Sequence, residues 1–483
     1  MTLSKRLAAR SLRLAAQAAP GPTVTPEQFG AKGGGRGNDT LAFAAMADHV
    51  NRAGGGTVVL RPTTYVVGLQ EPMPKAGYAF GPHPIMDFTG CTGALVVRGN
   101  GARLRCADGL RFGTFDPETG APTNHALPYY KAGEAASPYL SMLNVEDCSG
   151  PVHIGDLELD GNIDGLRVGG PWGDTGWQIG CAGLRLKDNH GPIHVANVNA
   201  HHHAQDGGSG NGPGKPGIAE HVTLENCRFS SNARNGFSLV GGIGWTFRRC
   251  RFEKSARGTP FGAPFGGSKP RSGIDFEAEG GRYVADIHLV DCIASNNVGP
   301  GCLHPGDSHV SNVLWEGGRI VGTTNKSYYG GGNKGIRFND TLFLGIPVNL
   351  AFETFENCTF SDELRRSPTG QLFNPHGWII PDAVTTNRFI DCTIIHSRPG
   401  LSSNASFNQP LFENCAFYSL PGAGRLDVYG RFRGSRTRFI AERGGTNFAV
   451  TPDGRSGASS AGHAEDGFSI TTTDGRTTVY PPG

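Results

Sequence analysis

The sequence predicts an all-β fold, a single-stranded right-handed parallel β-helix of stacked rungs, closed by an N-terminal capping helix. Three observations lead to this prediction: an excess of glycine, a cysteine pattern that recurs at a fixed spacing, and short stretches of alternating apolar and polar residues. Glycine supplies 74 of the 483 residues, where average usage of about 7% would give about 34. Such a density is typical of many short strands joined by tight turns.

A five-residue pattern centred on cysteine marks the repeat. The spacing from Cys227 to Cys250 is the same as the spacing from Cys392 to Cys415. This period, about 23 residues, is typical of one coil of a three-sided β-helix, with three strands and three turns. The copies are ENCRF at 225–229, RRCRF at 248–252, VDCIA at 290–294, ENCTF at 356–360, IDCTI at 390–394, ENCAF at 413–417 and a weaker EDCSG beginning at Glu146.

The cysteines are interpreted as packing residues. No C-x₂-C pair, the usual mark of a zinc site, occurs among the eleven. A buried free cysteine behaves as a small apolar side chain, so an inward stack of them on successive rungs is expected to be inert. A disulfide or a metal-binding role is the alternative.

Charge and hydropathy exclude several classes of partner. The formal net charge is +2, which argues against a large nucleic-acid footprint. No run of the chain approaches 18 apolar residues, so no membrane span is expected. We therefore expect neither a nucleic-acid nor a membrane partner.

Three regions are predicted along the chain. Residues 1–23 form a leader or flexible N-terminus, in which Arg10 and Arg13 interrupt the apolar stretch that a cleaved export signal would need. Residues 24–440 form the β-helix domain with its cap. Residues 441–483 lose the rung pattern and are predicted to be a terminal cap or tail.

A second element follows each cysteine strand and begins with glycine. The copies are RNGFSLVG at 234–241, RSGIDFEAEG at 271–280, GPGCLHPGD at 299–307 and NKGIRFND at 333–340. Alternation in the second copy predicts that Asp275, Glu277 and Glu279 face outward. If the copies share one sheet, the outward positions matching Asp275 include Ser238 in one neighbouring rung and Arg337 in another.

Residues 24–68 resemble the opening segment of the pectate-lyase-like superfamily, the proteins of the pectin-lyase fold. The resemblance rests on FGAKG at 29–33, on Asn-Asp-Thr at 38–40 and on GGGTVVL at 54–60. Gly-Gly-Gly at 33–35 departs from the Gly-Asp-Gly that is common in the family.

The resemblance implies a parallel β-helix whose N-terminal helix, capped by Asp39 or Thr40 and ended by Gly54 to Gly56, covers the apolar end of the coil. It also implies an extracellular or periplasmic location and a monomer or homotrimer. It implies no single activity, because the superfamily includes lyases, glycoside hydrolases, epimerases and phage tailspikes.

The acidic stretch GIDFEAEGG is the first candidate for catalysis. On a strand, residues i and i+2 lie about 6.5–7 Å apart, within the 6.5–9.5 Å that separates the carboxyls of inverting glycosidases. Asp275 and Glu277 are therefore predicted to be an acid/base pair with Glu279 in support. A Ca²⁺ site and a plain solvated strand face are the alternatives, and no other cofactor is expected.

The histidine run is the second candidate. His201, His202 and His203 cannot all point the same way on a strand. A zinc site would need a further ligand, such as Asp206 or His190. Contact of His202, His203 and Asp206 with substrate, and a purely structural turn, are the alternatives.

Further candidates flank these two. Trp172 and Trp177 follow the acidic LDGN segment that begins at Leu159, and their faces suit the C–H side of a sugar ring. His304, which alternation places inward, or Asp307 is expected to complete the site beside Asp275, and Arg337 and Lys334 are expected to lie further along the same face. Insertions at 112–140 and 255–272 are expected to wall a groove.

These residues support three hypotheses about function. The first is a glycoside hydrolase that cleaves a polysaccharide or oligosaccharide by carboxylate acid/base catalysis. The second is a polysaccharide lyase or epimerase acting on a uronate polymer, favoured by Arg337, Lys334 and a Ca²⁺ site. The third is a glycan-binding, tailspike-like module without turnover.

Overall fold

The computed structural model forms a parallel β-helix with an α-helix near the N-terminus, so the predicted all-β, parallel β-helix fold class is confirmed. No helix among the described residues is long and apolar enough to span a membrane. The structure describes residues 21–72, 80–116, 118–123, 135–170, 179–257, 269–306, 309–374, 379–380, 386–399, 402–403, 410–443, 448–452 and 468–480.

The chain divides into two compact units, one within residues 1–271 and 279–283, the other within 272–278 and 284–483. The first unit contains the helix α1, Thr40–Arg52, and short 3₁₀ turns at Pro26–Phe29 and Ile163–Gly165. Its strands are β1 Thr23–Val24, β2 Gly56–Val59, β3 Thr64–Val67, β4 Gln70–Pro72, β5 Phe80–Pro82, β6 Met86–Thr89, β7 Leu95–Cys106, β8 Arg111–Gly113, β9 Ser141–Glu146, β10 Val152–Asp160, β11 Arg167–Gly169, β12 Ala182–Lys187, β13 Ile193–His201, β14 Gly208–Asn211, β15 Val222–Glu225, β16 Arg228–Ser230, β17 Phe237–Ile243, β18 Trp245–Arg248 and β19 Arg251–Glu253.

The second unit contains a 3₁₀ turn at Leu364–Arg366 and continues the same architecture. Its strands are β20 Ile274–Phe276, β21 Val284–Val290, β22 Ile293–Ser295, β23 Cys302–Leu303, β24 Val310–Glu316, β25 Arg319–Val321, β26 Tyr328–Tyr329, β27 Ile336–Asn339, β28 Leu342–Leu344, β29 Pro347–Val348, β30 Thr354–Glu356, β31 Thr359–Ser361, β32 Arg388–Ile390, β33 Thr393–His396, β34 Ser402–Ser403, β35 Leu411–Glu413, β36 Ala416–Ser419, β37 Leu426–Arg433, β38 Arg438–Ala441, β39 Ala449–Pro452, β40 Phe468–Thr471 and β41 Thr477–Tyr480.

The helix α1 lies where the N-terminal segment predicted it. Asp39 occupies the N-cap position, but its carboxylate accepts the backbone N–H groups of Lys32 and Gly33 instead of capping the helix. The N–H of Thr40 is bound by the side chain of Asn38 at 3.0 Å. The glycine-rich loop and the helix are thus tied together by two short polar side chains.

Parallel pairing within each unit stacks one rung on the next at an uneven period. Phe338 pairs in register with Phe355, whereas Phe355 pairs with Phe389, a step along the chain that is twice as long. Phe389 then pairs with Phe412 after a step of intermediate length. The regular cysteine spacing seen in the sequence is therefore one value in a range, because the loops between strands vary in length.

A left-handed residue followed by cysteine forms one corner of several rungs. Asn226 and Arg249 have φ values of 53° and 52°, and Cys227 and Cys250 come directly after them. All eleven cysteines are free and buried, as the packing interpretation predicts. In the second unit, Gly318 occupies this position on the rung after Cys292; a Cβ on Gly318 would lie 2.0 Å from the Cys292 carbonyl oxygen.

The weaker cysteine copy at Glu146 belongs to a different corner. Cys148 follows β9, and its Sγ accepts the backbone N–H of Cys91 at 3.4 Å. The β9 strand pairs with β6 and β12, whereas the strand before Cys227 pairs with β13 and β18. The prediction that Cys148 continues the ladder of Cys227 was wrong.

The predicted domain boundaries at 23 and 440 stay predictions. Residues 1–20 lie outside the described residues. Beyond 440, β38 pairs in parallel with β40, and β40 pairs antiparallel with β41. Rung-like pairing therefore extends into the segment expected to form the cap or tail.

Candidate functional site

Three short strands of the first unit place six outward residues in a grid. The strands β6, β9 and β12 pair in parallel, so Asp87, Asn144 and Arg185 are in register on adjacent rungs. Two residues further along the strands, Thr89, Glu146 and Lys187 are in register in the same way. Because adjacent strands lie about 4.8 Å apart, these side chains form one outer surface, which we call the pocket face.

Asn144 joins the two carboxylates of the pocket face. Its Nδ2 donates to Asp87 Oδ1 at 2.7 Å and to Glu146 Oε2 at 3.3 Å. The two acceptor oxygens can be no farther apart than the sum of those distances. Asn144 is only 7% exposed, and its Oδ1 has no partner among the described residues. The site thus holds a close pair of carboxyls and a buried acceptor available to a ligand.

Two cations flank Glu146. Lys187 Nζ contacts Glu146 Oε1, and Arg185 Nη1 lies 3.8 Å from Oε2. Burial raises the pKa of Glu146, but the hydrogen bonds from Lys187 and Asn144 and the charge of Arg185 outweigh it, so the pKa lies below its usual value. Glu146 is therefore an ionised carboxylate at neutral pH.

A pocket of about 310 Å³ opens on this face, a size at the lower end of the range for ligand sites. Its floor is Asp87, Asn144, Glu146 and Arg185, and Ser141 contributes a hydroxyl without a partner among the described residues. The walls are apolar or mixed side chains of two segments that precede β6 and β9, namely Pro82, His83, Pro84, Ile85 and Leu140.

The histidine run takes three different environments. His201 is the last outward residue of β13, and His202 adopts a left-handed conformation with φ of 56°. His203 turns inward and is fully buried; its Nε2 donates to the Leu159 carbonyl oxygen at 3.0 Å, and its Nδ1 accepts from the Tyr139 hydroxyl at 2.9 Å. Burial lowers the pKa of His203 to about 3.

The further zinc ligands proposed from the sequence are not the residues that the structure brings next to the histidines. Asp160, His201 and His202 offer ligand atoms that all lie within 4.8 Å of one another; we call these three residues the histidine cluster. The Nε2 atom of His190 lies instead 3.8 Å from Asp147 Oδ1. His203 was expected to contact substrate, but its buried position between Tyr139 and the backbone makes it a packing residue.

Asp206 is likewise internal. It is 2% exposed, and its Oδ2 accepts Arg234 Nη1 at 3.0 Å and the Ser238 hydroxyl at 2.9 Å. The backbone N–H of Asn235 binds the other oxygen at 2.9 Å. The expectation that Asp206 contacts substrate is corrected, since these buried partners hold its carboxylate inside the rung.

The acidic strand is shorter than predicted. The strand β20 ends at Phe276, and all three of its residues are buried, with Asp275 1% exposed. Alternation therefore does not carry through Glu277 and Glu279, which lie beyond the strand and are partly exposed. Asp275 is thus covered and not exposed, and the catalytic roles of Asp275, Glu277 and Glu279 stay predictions.

His304 points inward as alternation predicts, and it stacks on Phe276 with ring centroids 4.7 Å apart. Burial lowers the pKa of His304 to about 3, so its expected contact with substrate is replaced by a place in the core. Arg337 is exposed but lies in a different sheet column: it pairs with Leu314 and Thr354, whereas Asp275 pairs with Leu303. The expectation that Arg337 joins the face of Asp275 was wrong.

Trp172 and Trp177 lie outside the described residues, so their role as sugar platforms stays a prediction. Leu140, at the end of the insertion at 112–140, lies in the pocket wall, but residues 117 and 124–134 lie outside the described residues, so the role of this insertion as a groove wall stays a prediction. Most of the insertion at 255–272 lies outside the described residues.

The pocket-face residues carried a weak signal in the sequence. Each of the three strands ends in a polar–apolar–polar triplet, DFT at 87–89, NVE at 144–146 and RLK at 185–187. Such triplets are short and common, and only the pairing register brings the three into one surface.

Comparisons with known proteins found similar solved structures only at low identity and low TM-score. No protein-family model and no curated protein matches the chain. Among solved structures, the Azotobacter vinelandii mannuronan C-5 epimerase AlgE4 A-module is 14% identical with a TM-score of 0.42, covering 89% of this chain and 95% of that one.

Two further structures are similar at the same level. The bacteriophage Phi29 gene product 12 N-terminal fragment is 11% identical with a TM-score of 0.45, covering 100% of this chain and 76% of that one. The catalytic unit of a GH87 alpha-1,3-glucanase from Streptomyces thermodiastaticus is 12% identical with a TM-score of 0.31, covering 96% and 73%. These values are too low to indicate a shared activity.

Proposed function

We propose that this protein is a carbohydrate-active enzyme that hydrolyses glycosidic bonds of a polysaccharide or oligosaccharide at the pocket face. The observation that carries the proposal is the pair of carboxyls of Asp87 and Glu146, both bound by Asn144 at the floor of a pocket. Paired carboxyls are the machinery that glycosidases use. The mixed apolar and polar lining suits a sugar ring with one C–H face and several hydroxyls.

The roles follow from the surroundings of each carboxyl. Lys187 and Arg185 keep Glu146 ionised, and its carboxyl lies closer to that of Asp87 than the two carboxyls of inverting glycosidases, so Glu146 suits a nucleophile that bonds to the anomeric carbon. In this proposal Asp87 supplies a proton to the oxygen of the leaving sugar as the bond from that oxygen to the anomeric carbon breaks. A water then bonds to the anomeric carbon and gives a proton to Asp87, and the bond to Glu146 breaks, which releases the second of the two shorter sugars.

A lyase or epimerase acting on a uronate polymer is the second candidate. Arg185 and Lys187 beside Glu146 favour it, because cations next to a base can neutralise the carboxylate of a uronate ring. Glu146 would then take the proton at C5 of the uronate. A glycan-binding module without turnover is the third.

A substrate screen separates these candidates. The full chain is incubated with neutral and acidic polysaccharides, and both new reducing ends and the ultraviolet absorbance of unsaturated uronates are measured. Reducing ends without absorbance support hydrolysis, whereas absorbance identifies a lyase and contradicts the hydrolase proposal. Binding with neither product contradicts hydrolysis and elimination, and is the result expected of an epimerase or of a glycan-binding module.

A further inference from the structure

We propose that Asp160, His201 and His202 bind a divalent transition-metal ion of the Zn²⁺ class. This site lies on a different strand face from the pocket and does not depend on the proposed function. Its three ligand atoms lie within 4.8 Å of one another, so a side-chain shift of about 0.5 Å or less lets one ion contact all three at about 2.0–2.2 Å.

The fold brings the three ligands together through register and one turn. Asp160 and His201 end β10 and β13, and these two residues are paired in register on adjacent rungs. His202 follows with φ of 56°, a left-handed conformation that non-glycine residues seldom adopt. This turn brings two consecutive imidazoles face to edge, with ring centroids 4.9 Å apart and an angle of 89°.

The ligand atoms of the histidine cluster lie close to one another. His201 Nδ1 lies 2.7 Å from His202 Nδ1 and 3.5 Å from Asp160 Oδ1. Two unprotonated imidazole nitrogens at that separation repel unless a proton lies between them or a metal ion, to one side of the line that joins them, binds both lone pairs. Without metal, a proton on one Nδ1 serves this purpose; with metal, both nitrogens are free to act as ligands.

The outer partners orient the ligands in the way that metal sites require. Glu158 Oε1 lies 3.0 Å from His201 Nε2 and can accept its N–H, which leaves Nδ1 unprotonated. A carboxylate behind a ligating histidine is the usual second layer of a zinc site. Arg103 contacts Asp160 Oδ2, whereas Oδ1 accepts the backbone N–H of Asn162 at 2.9 Å and keeps a lone pair for the ion.

The charges around the histidine cluster and the exposure of its side chains also permit the binding of a divalent cation. Glu158, Asp160 and Asp164 carry three negative charges near the cluster, against the positive charges of Arg103, whose Nε lies 3.2 Å from Glu158, and of Arg105, which pairs with Asp108. The side chains of Asp160 and His201 are 5% and 12% exposed, and His202 is partly exposed, so the ligands are held in place by their surroundings. Three protein ligands are also the number found in catalytic zinc sites, where a water takes the fourth position.

The ligand types select the metal. Two imidazoles and one carboxylate suit Zn²⁺, Co²⁺ or Ni²⁺, whereas Ca²⁺ takes six to eight oxygen ligands. The site is therefore expected to prefer Zn²⁺ strongly over Ca²⁺, unlike the Ca²⁺ site considered from the acidic sequence stretch.

The test is a metal titration of the full chain after chelator treatment, with Zn²⁺, Co²⁺ and Ca²⁺ measured separately by calorimetry and the Co²⁺ absorbance recorded. The wild-type chain should bind one Zn²⁺ and give the absorbance of Co²⁺ with nitrogen ligands. His202→Asn, which tolerates the left-handed backbone, should lower Zn²⁺ affinity at least tenfold. Glu158→Gln should lower it about 10–100-fold.

His194→Gln is the matched control, because His194 is a partly exposed histidine on the same strand, β13, outside the cluster. It should bind Zn²⁺ like the wild type. Equal affinity in His202→Asn and the wild type, tighter binding of Ca²⁺ than of Zn²⁺, or no stoichiometric Zn²⁺ binding would each overturn the proposal. Thermal unfolding in chelator confirms that each variant folds, and Glu146→Gln should bind Zn²⁺ normally whether or not it is active.

Discussion

The Asn144 amide donates a hydrogen bond of 2.7 Å to Asp87 on the adjacent rung. The same nitrogen contacts Glu146 on its own strand at 3.3 Å. A neutral donor held between two carboxyls fixes their spacing, and here it is one of the groups that lower the pKa of Glu146. This small arrangement links the register of the β-helix to the chemistry proposed for the pocket.

Removing that donor should change the pH dependence of turnover. In Asn144→Ala the pKa of Glu146 is expected to rise, because one of the hydrogen bonds that lower it is gone. The acidic limb of the profile of kcat/KM against pH should therefore move to higher pH. Lys187→Met removes the hydrogen bond that lowers the pKa of Glu146 more than Asn144 does, so it should move the acidic limb to a still higher pH. An unchanged acidic limb in both variants would contradict the role given to Glu146.

His304 should make the second unit less stable in acid. Its pKa is about 3 in the folded chain and about 6.5 when unfolded, so the unfolded chain binds the extra proton between these values. Stability is then lost as the pH falls below about 6.5, by at most about 1.4 kcal/mol per pH unit. His304→Phe, which keeps the stack on Phe276, should raise Tm relative to the wild type more at pH 4.5 than at pH 7.5.

The control for His304 is the equally buried Phe343, whose substitution by leucine should change Tm by the same amount at both pH values. If the Tm difference between His304→Phe and the wild type is the same at pH 4.5 and 7.5, His304 does not titrate as described.

Glu353 should make the second unit less stable as the pH rises, the opposite of the effect of His304. Burial raises its pKa, although its partners Tyr328, Ala351 and Asn387 oppose the shift. The folded chain therefore keeps a proton that the unfolded chain releases, and stability is lost as the pH rises from about 4.5 through the raised value. Glu353→Gln removes this loss, so its Tm relative to the wild type should be more favourable at pH 7.5 than at pH 4. A more favourable value at pH 4 would contradict the direction of the shift.

A ladder of stacked phenylalanines should dominate the stability of the second unit. Phe389 is fully buried, with ring centroids 4.8 Å from Phe355 and 4.9 Å from Phe412. Phe389→Ala should cost about 3–5 kcal/mol in the free energy of unfolding, measured by urea denaturation. The control, Phe352→Ala, truncates a ring that is 42% exposed and should cost about 0.5 kcal/mol or less. Equal losses would rule out the ladder as the main contributor.

The sequence predicted the features that depend on local pattern. The helix between Asp39 and Gly54, the inert cysteines and the inward orientation of His304 each follow from neighbouring residues or from one short repeat. Capping, turn formation and alternation act over a few residues, so one sequence is enough to predict them.

Which side chains share one face of the β-helix could not be predicted in the same way. Arg337 and Asp275 both follow a Gly-led alternating stretch, but loops of different length place them in different columns. Because one rung step can be twice as long as the one before it, register depends on pairing across the coil. The pocket residues Asp87 and Glu146 were missed for the same reason, since no local pattern connects residues on separate rungs.

Turnover of site variants is the most direct test of the proposed site. With a polysaccharide that the wild-type chain cleaves, initial rates of reducing-end release are compared for Glu146→Gln, Asp275→Asn and the surface control Glu225→Gln. We predict that Glu146→Gln loses about 10²–10⁴-fold in kcat, while Glu225→Gln keeps the wild-type rate. Full activity in Glu146→Gln, with loss in Asp275→Asn, would contradict this prediction and move the active site to the acidic strand.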